Sequence, residues 1–97
     1  MQKAAKIFRL TAHPRFANDE YGRKKIKAIR LTASCGRNDY ELDFPVSENG
    51  TFGLITSLVP DVEKGIRANH ALNRGEVIDL GKHDAEELAE LGFRLDE

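Results

Sequence analysis

Ninety-seven residues, 40% of them hydrophobic and seven of them aromatic, suit one domain with a single modest core, a composition too apolar for a chain disordered throughout. No apolar run approaches the roughly 18 residues of a membrane span, and the N-terminus lacks the apolar stretch of a signal peptide. The chain is therefore expected to be neither secreted nor membrane-embedded, and its single cysteine, Cys35, offers neither an internal disulfide nor a C-x-x-C metal pattern.

The net charge of −1 hides a division. Met1 to Asp39 carries ten Lys and Arg against three acidic residues, a surplus of +7; Tyr40 to Glu97 carries five against thirteen, a deficit of −8. Such an asymmetry points to a basic surface that meets nucleic acid, or the acidic surface of a partner or of another copy. The plainer reading scatters both sets over one small domain, where they cancel.

In chain order, Lys6 to Ala12 alternates, with Phe8, Leu10 and Ala12 on one face, as in a half-buried strand. His13-Pro14 is expected to close it, because proline cannot donate to a ladder. Arg15 to Arg23 reads as a polar loop with a turn at Tyr21-Gly22. The cluster Arg23-Lys24-Lys25, with Lys27, leads into the longest alternation, in which Ile29, Leu31, Ala33 and Cys35 share one face and Ala28, Arg30, Thr32 and Ser34 the other. That pattern predicts a central strand, paired with the first through a long, mobile connection.

Gly36 to Asp39 is a turn by composition, followed by a third strand in which Tyr40, Leu42 and Phe44 alternate with Glu41 and Asp43. Pro45 places this strand at an edge or ends it. Ser47 to Gly50 reads as another turn, with the glycine at positive φ. Thr51 to Leu58 is expected to be a fourth strand, although Gly53 and the Leu54-Ile55 pair leave a helix open. Pro60-Asp61-Val62-Glu63 starts a helix, with proline at its first position, that carries Val62, Ile66 and Asn69 on one face with Leu72 nearby. Gly65 weakens that helix by roughly 1 kcal/mol relative to alanine. Asn73-Arg74-Gly75 is the hinge before the last unit.

Residues 73–97 carry the clearest local signals. Glu76 to Leu80 reads as a short strand with Val77 and Leu80 turned inward, broken by Gly81-Lys82-His83. Asp84 stands as an N-cap able to accept from the backbone of Glu86 or Glu87, and both glutamates fall where the helix dipole favours negative charge. Ala85, Leu88, Ala89 and Leu91 form an apolar stripe, Gly92 is placed for a left-handed stop, and Phe93 and Leu95 would fold back on the stripe.

The run Gly75-Glu76-Val77-Ile78-Asp79-Leu80, then Ala85, Leu88, Gly92 and the closing Asp96-Glu97, resembles a module of small proteins encoded among the head genes of tailed and Mu-like bacteriophages. The resemblance covers about a quarter of the chain and consists of structural residues. It implies a head-associated or capsid-decorating virion protein, found in the virion or host cytoplasm, whose partner is the major capsid protein or other copies of itself.

The residues that carry chemistry are sparse. His13, His70 and His83 lie far apart, with no metal-ligand spacing between them or to Cys35. His70 and His83 are expected in solvent, and His13 at a strand end. Glu41 and Asp43 share a face that reads as solvated. Ser34, Ser47 and Ser57 lack a recognisable base, and no phosphate-binding or nucleophile motif occurs. No enzyme, cofactor or metal is expected.

The candidate contact site is the basic segment Arg15, Arg23, Lys24, Lys25, Lys27 and Arg30, with Phe16 and Tyr21 interleaved. Basic residues beside aromatics can neutralise phosphates and stack on bases, yet the acidic C-terminal half disfavours a dedicated nucleic-acid domain. The expectation is thus a single α+β domain over 1–97, a small antiparallel β-meander with one central helix and a C-terminal strand-helix unit. It would act by protein-protein contact, with weak or no nucleic-acid binding. The alternative is a nucleic-acid-binding or host-factor-inhibiting phage module using the same basic segment.

Overall fold

The computed structural model describes residues 6–46 and 51–95, and shows a mixed α+β architecture. The elements are β1 (Ile7–Asn18), β2 (Lys24–Cys35), β3 (Asn38–Pro45), α1 (Phe52–Leu58), α2 (Val62–Asn73), β4 (Ile78–Asp84) and α3 (Ala85–Leu91). The strands form one antiparallel sheet in the order β3-β2-β1-β4. The last strand therefore joins beside the first.

The core follows the alternation of β1 and β2. Phe8, Leu10 and Ala12 on β1 face the same way as Ile29, Leu31 and Ala33 on β2, and all six are buried. Helix residues close over them: Ile55 and Leu58 from α1, Leu72 from α2 and Leu88 from α3, with Leu80 of β4 and Phe93. Phe8 meets Tyr40 of β3 edge to face, ring centroids 6.0 Å apart. The opposite face of the sheet carries Arg9, Thr11, His13 and Arg15 along β1 and Ala28, Arg30, Thr32 and Ser34 along β2, with no helix of the described residues packed on it.

Several expectations are corrected by the tertiary pairing. His13-Pro14 does not end β1, which continues paired to β2 as far as Asn18↔Lys24. The reason is that β4 leaves β1 at Ala12, so that side of the ladder asks for no donor from residue 14. The expected long connection shrinks to Asp19–Arg23. Residues 52–58 form a helix and not a strand, so two helices precede β4 instead of one. Burial of Ile55 and Leu58, three apart, outweighs the β-propensity of this stretch, because packing of an apolar face supplies most of a short helix's stability.

Helix α2 is capped by Asp61, whose carboxylate accepts from the Lys64 backbone N–H at 3.2 Å, so Pro60 lies before the cap and not at the first helical position. Its inner residues are Gly65 and Leu72; Val62 and Ile66 are exposed, against the face assigned from sequence. Thr51 is buried just before α1 and donates from Oγ1 to Asn69 Oδ1, tying the two helices together.

The C-terminal unit keeps its cap and stop but shifts its strand. Val77 is exposed, and Gly81, Lys82 and His83 lie inside β4, pairing along β1 to Phe8↔His83 and Ile7↔Asp84. Gly81 does not break the strand. At φ +84 it forms an irregularity in which Leu80 and Gly81 together stand opposite Leu10. His83, expected in solvent, is buried: its Nε2 donates to Leu80 O at 3.0 Å and its Nδ1 lies 3.1 Å from Glu87 Oε2. His13 sits within β1, its Nε2 3.2 Å from Thr11 Oγ1, whereas His70 is exposed as expected. Asp84 accepts from the Glu87 N–H at 2.8 Å and Glu87 reaches back to the Asp84 N–H, a complete capping box. Gly92 ends α3 at φ 112. Within the apolar stripe only Leu88 is fully buried, Ala89 being exposed. The turn expected at Ser47–Gly50 lies outside the described residues.

Candidate functional site

Five of the six basic residues named from sequence lie at or beyond the end of the four-stranded sheet, on a two-stranded arm built by β1 and β2. β3 pairs with β2 only from Ala28 onward and β4 leaves β1 at Ala12, so Phe16–Asn18 and Lys24–Ile26 pair only with each other. At the arm's base the register slips: Arg15 pairs with Ala28 but Phe16 with Ile26, leaving Lys27 as an extra residue on β2. The Lys27 carbonyl accepts from Val46 N at 3.0 Å, which ties the bulge to the end of β3.

The tip is organised by one carboxylate. Asp19 Oδ1 accepts from the backbone N–H groups of Tyr21 and Arg23, both at 2.9 Å, and its own N–H donates to Arg23 O at 2.8 Å. Gly22 supplies φ +78. Arg23 lies 3.4 Å from Asp19 Oδ2 and stacks over the Tyr21 ring at 5.2 Å. The Arg23 backbone hydrogen bond, followed by that of Tyr21, the charge of Lys25 and the Arg23 side-chain hydrogen bond, holds the Asp19 carboxyl below its ordinary range despite its desolvation. Tyr21, 74% exposed, thus stands at the tip on a defined turn.

Alternation assigns the faces. Arg15 and Ala17, with Lys25 opposite Ala17, continue the open face of the sheet. Phe16 and Ile26 pair on the helix side, where the Phe16 ring lies beside Gly75, and Lys24 follows them opposite Asn18. Cations therefore stand on both faces of the arm.

Arg30 is separated from this group. It sits in the body, donating from Nε to Asp43 Oδ1 at 2.9 Å and from Nη2 to Asp43 Oδ2 at 3.3 Å, with Glu41 3.7 Å away. The Arg30 hydrogen bond is the main cause that lowers the Asp43 carboxyl, and the same bond raises Arg30. Arg9, on the same face, lies 3.6 Å from Asp79. By contrast, Arg15, Lys24, Lys25 and Lys27 form no ion pair among the described residues. Sequence reasoning grouped Arg30 with the others because spacing cannot show which cations a neighbouring strand neutralises.

Open concavities lie on both sides of the sheet among the described residues. A depression of about 250 Å³ on the open face is lined by His13, Arg15, Arg30, Thr32 and Glu41. A groove of about 690 Å³ runs between the α1–α2 connection and β4, past Leu58, Pro60, Lys64 and Leu80. Among the described residues no group of three His, Cys, Asp or Glu is placed to hold a metal ion, and no helix is long and apolar enough to cross a membrane. No family model, curated protein or solved structure matches this chain.

Proposed function

We propose that this protein works by contact, without catalysis, and that the β1–β2 arm is its working element. The observation that carries this reading is the accumulation of solvated charge on a projecting ribbon: between residues 15 and 27 five Lys and Arg face two carboxylates, one of which is engaged in forming the tip. Four of the five, Arg15, Lys24, Lys25 and Lys27, form no ion pair among the described residues; on an extension of the sheet they add nothing to the core, and their mutual repulsion opposes bringing them together. An exposed Tyr stacked with an Arg belongs to the residue types enriched where proteins meet partners.

The resemblance of the C-terminal unit supplies a setting, a head-associated or capsid-decorating role in a bacteriophage particle. In that setting the protein partner is the major capsid protein or further copies of this chain. The test is association with assembled heads, followed by sedimentation. Wild type is expected to co-sediment, and a variant with Lys24, Lys25 and Lys27 changed to glutamine to remain in the supernatant; equal co-sedimentation of both would remove the arm from the contact.

A further inference from the structure

We propose that the arm binds duplex DNA, entering the major groove as a two-stranded ribbon with its cations on the flanking phosphates. This rests on the arm being the working element; it puts duplex DNA in place of a protein surface as what the arm meets, and does not rest on the setting in a phage head. Three features of the arm favour this ligand over an acidic protein surface.

The first is shape. Two paired strands lie about 4.8 Å apart, and a major groove of roughly 12 Å admits such a ribbon. The arm meets this requirement because neither β3 nor β4 accompanies it beyond Ala28 and Ala12.

The second is the placement of charge. Arg15 and Lys25 stand on one face and Lys24 on the other, with Lys27 at the bulge between the arm and the body. A ribbon inside a groove has a phosphate backbone on each side and can use cations on both faces. A flat acidic surface would meet one face and leave the other in water.

The third is residue type. Three of the five arm cations are lysines, which are depleted where proteins meet proteins but are ordinary phosphate partners. Duplex is favoured over single strand because binding of unpaired bases uses a series of stacking rings. The arm offers two rings and not a series: Tyr21, 74% exposed at the tip, and Phe16, 39% exposed with its ring on the helix side beside Gly75. Tyr21, held by the Asp19 turn and backed by Arg23, is the group placed to reach the groove floor.

The experiment is fluorescence anisotropy of a short labelled DNA duplex across a salt series. Wild type is expected to bind with a Kd of roughly 1 to 100 μM near physiological salt, and with a slope of log K against log salt of about −3 to −4, near 0.9 for each phosphate neutralised. Lys24→Gln with Lys25→Gln and Lys27→Gln should weaken binding about tenfold or more and flatten the slope by about 2 to 3. Arg9→Gln with Arg74→Gln removes two cations already paired to Asp79 and Glu76, and should leave the affinity within about twofold. Circular dichroism checks that both variants keep the fold.

Absence of duplex binding, tighter binding to the single strand, or displacement of the duplex by polyglutamate at equal charge would each overturn the proposal. The last result would return the arm to acidic protein surfaces. Arm-dependent association with heads without duplex affinity would also sink it while sparing the preceding reading. Duplex affinity without head association would do the reverse.

Discussion

The body and the arm are made by the same two strands, yet they treat their residues in opposite ways. In the body, β1 and β2 have neighbours on both sides and helices beneath, so Leu10, Ala12, Leu31 and Ala33 are wholly buried and Arg30 is held by Asp43 and Glu41. Past Ala12 and Ala28 the neighbours stop, and the same strands carry exposed lysines and an exposed Phe16, with Tyr21 exposed on the turn that joins them. The contact proposed above starts from what the fold leaves unpaired in the arm. Residues that complete the body are explained by packing, whereas the arm's cations have no such explanation.

Substitutions can sharpen that contrast, and the largest effect is expected in the core. Leu88→Ala on α3 removes a fully buried side chain and should destabilise the protein by about 2 to 5 kcal/mol in urea unfolding, through lost burial and the cavity left behind. A midpoint unchanged by this substitution would show α3 undocked from the sheet. Next, Gly92→Ala should cost roughly 1 to 2 kcal/mol because φ 112 strains any residue with a Cβ, while the nearest atom, Leu42 Cδ2 at 3.6 Å, leaves room for the methyl itself. A stabilised variant would contradict the left-handed helix end.

A smaller effect is expected from the Arg30–Asp43 pair, and its sign follows from linkage. The Arg30 hydrogen bond, then its charge and that of Arg15, lower the Asp43 carboxyl below its ordinary 3.8, so the folded protein takes up this proton less readily than the unfolded chain. The contribution is fully present above the unfolded value and fades as pH falls through that value toward the lowered one. Asp43→Asn should therefore flatten the acid side of a urea-midpoint profile below about pH 4 and leave its slope near neutrality unchanged. An unaltered acid limb would show that the pair is not formed in solution.

The smallest effect on stability is expected in the arm. Changing Lys24, Lys25 and Lys27 together to glutamine should shift unfolding by about 0.5 kcal/mol or less, because exposed side chains away from caps and core seldom contribute more. A loss comparable to that of Leu88→Ala would place these lysines in the structure of the body and erase the distinction between the two regions.

Local signals in the sequence determined a good part of this protein. Alternation identified the buried faces of β1 and β2 and the course of β3, and the acidic cap at Asp84 and the glycine at 92 located both ends of α3. These features depend on contacts a few residues apart or on the simple period of a strand, so they are visible without a fold. The six basic residues were also legible as a group, though not their separation into five on or beside the arm and one engaged by β3.

The remaining features came from long-range packing, because each of them depends on a distant neighbour. Pro14 can lie inside a strand because β4 has already departed, and Gly81 to His83 can extend one because β1 is there to receive them. Residues 52–58 are helical because Ile55 and Leu58 join the common core, and His83 is buried because Leu80 and Glu87 satisfy its two nitrogens. The arm itself is of this kind. Its residues are plain in the sequence, but its projection arises where β3 and β4 fail to follow β1 and β2, and no local pattern records the length of a neighbouring strand.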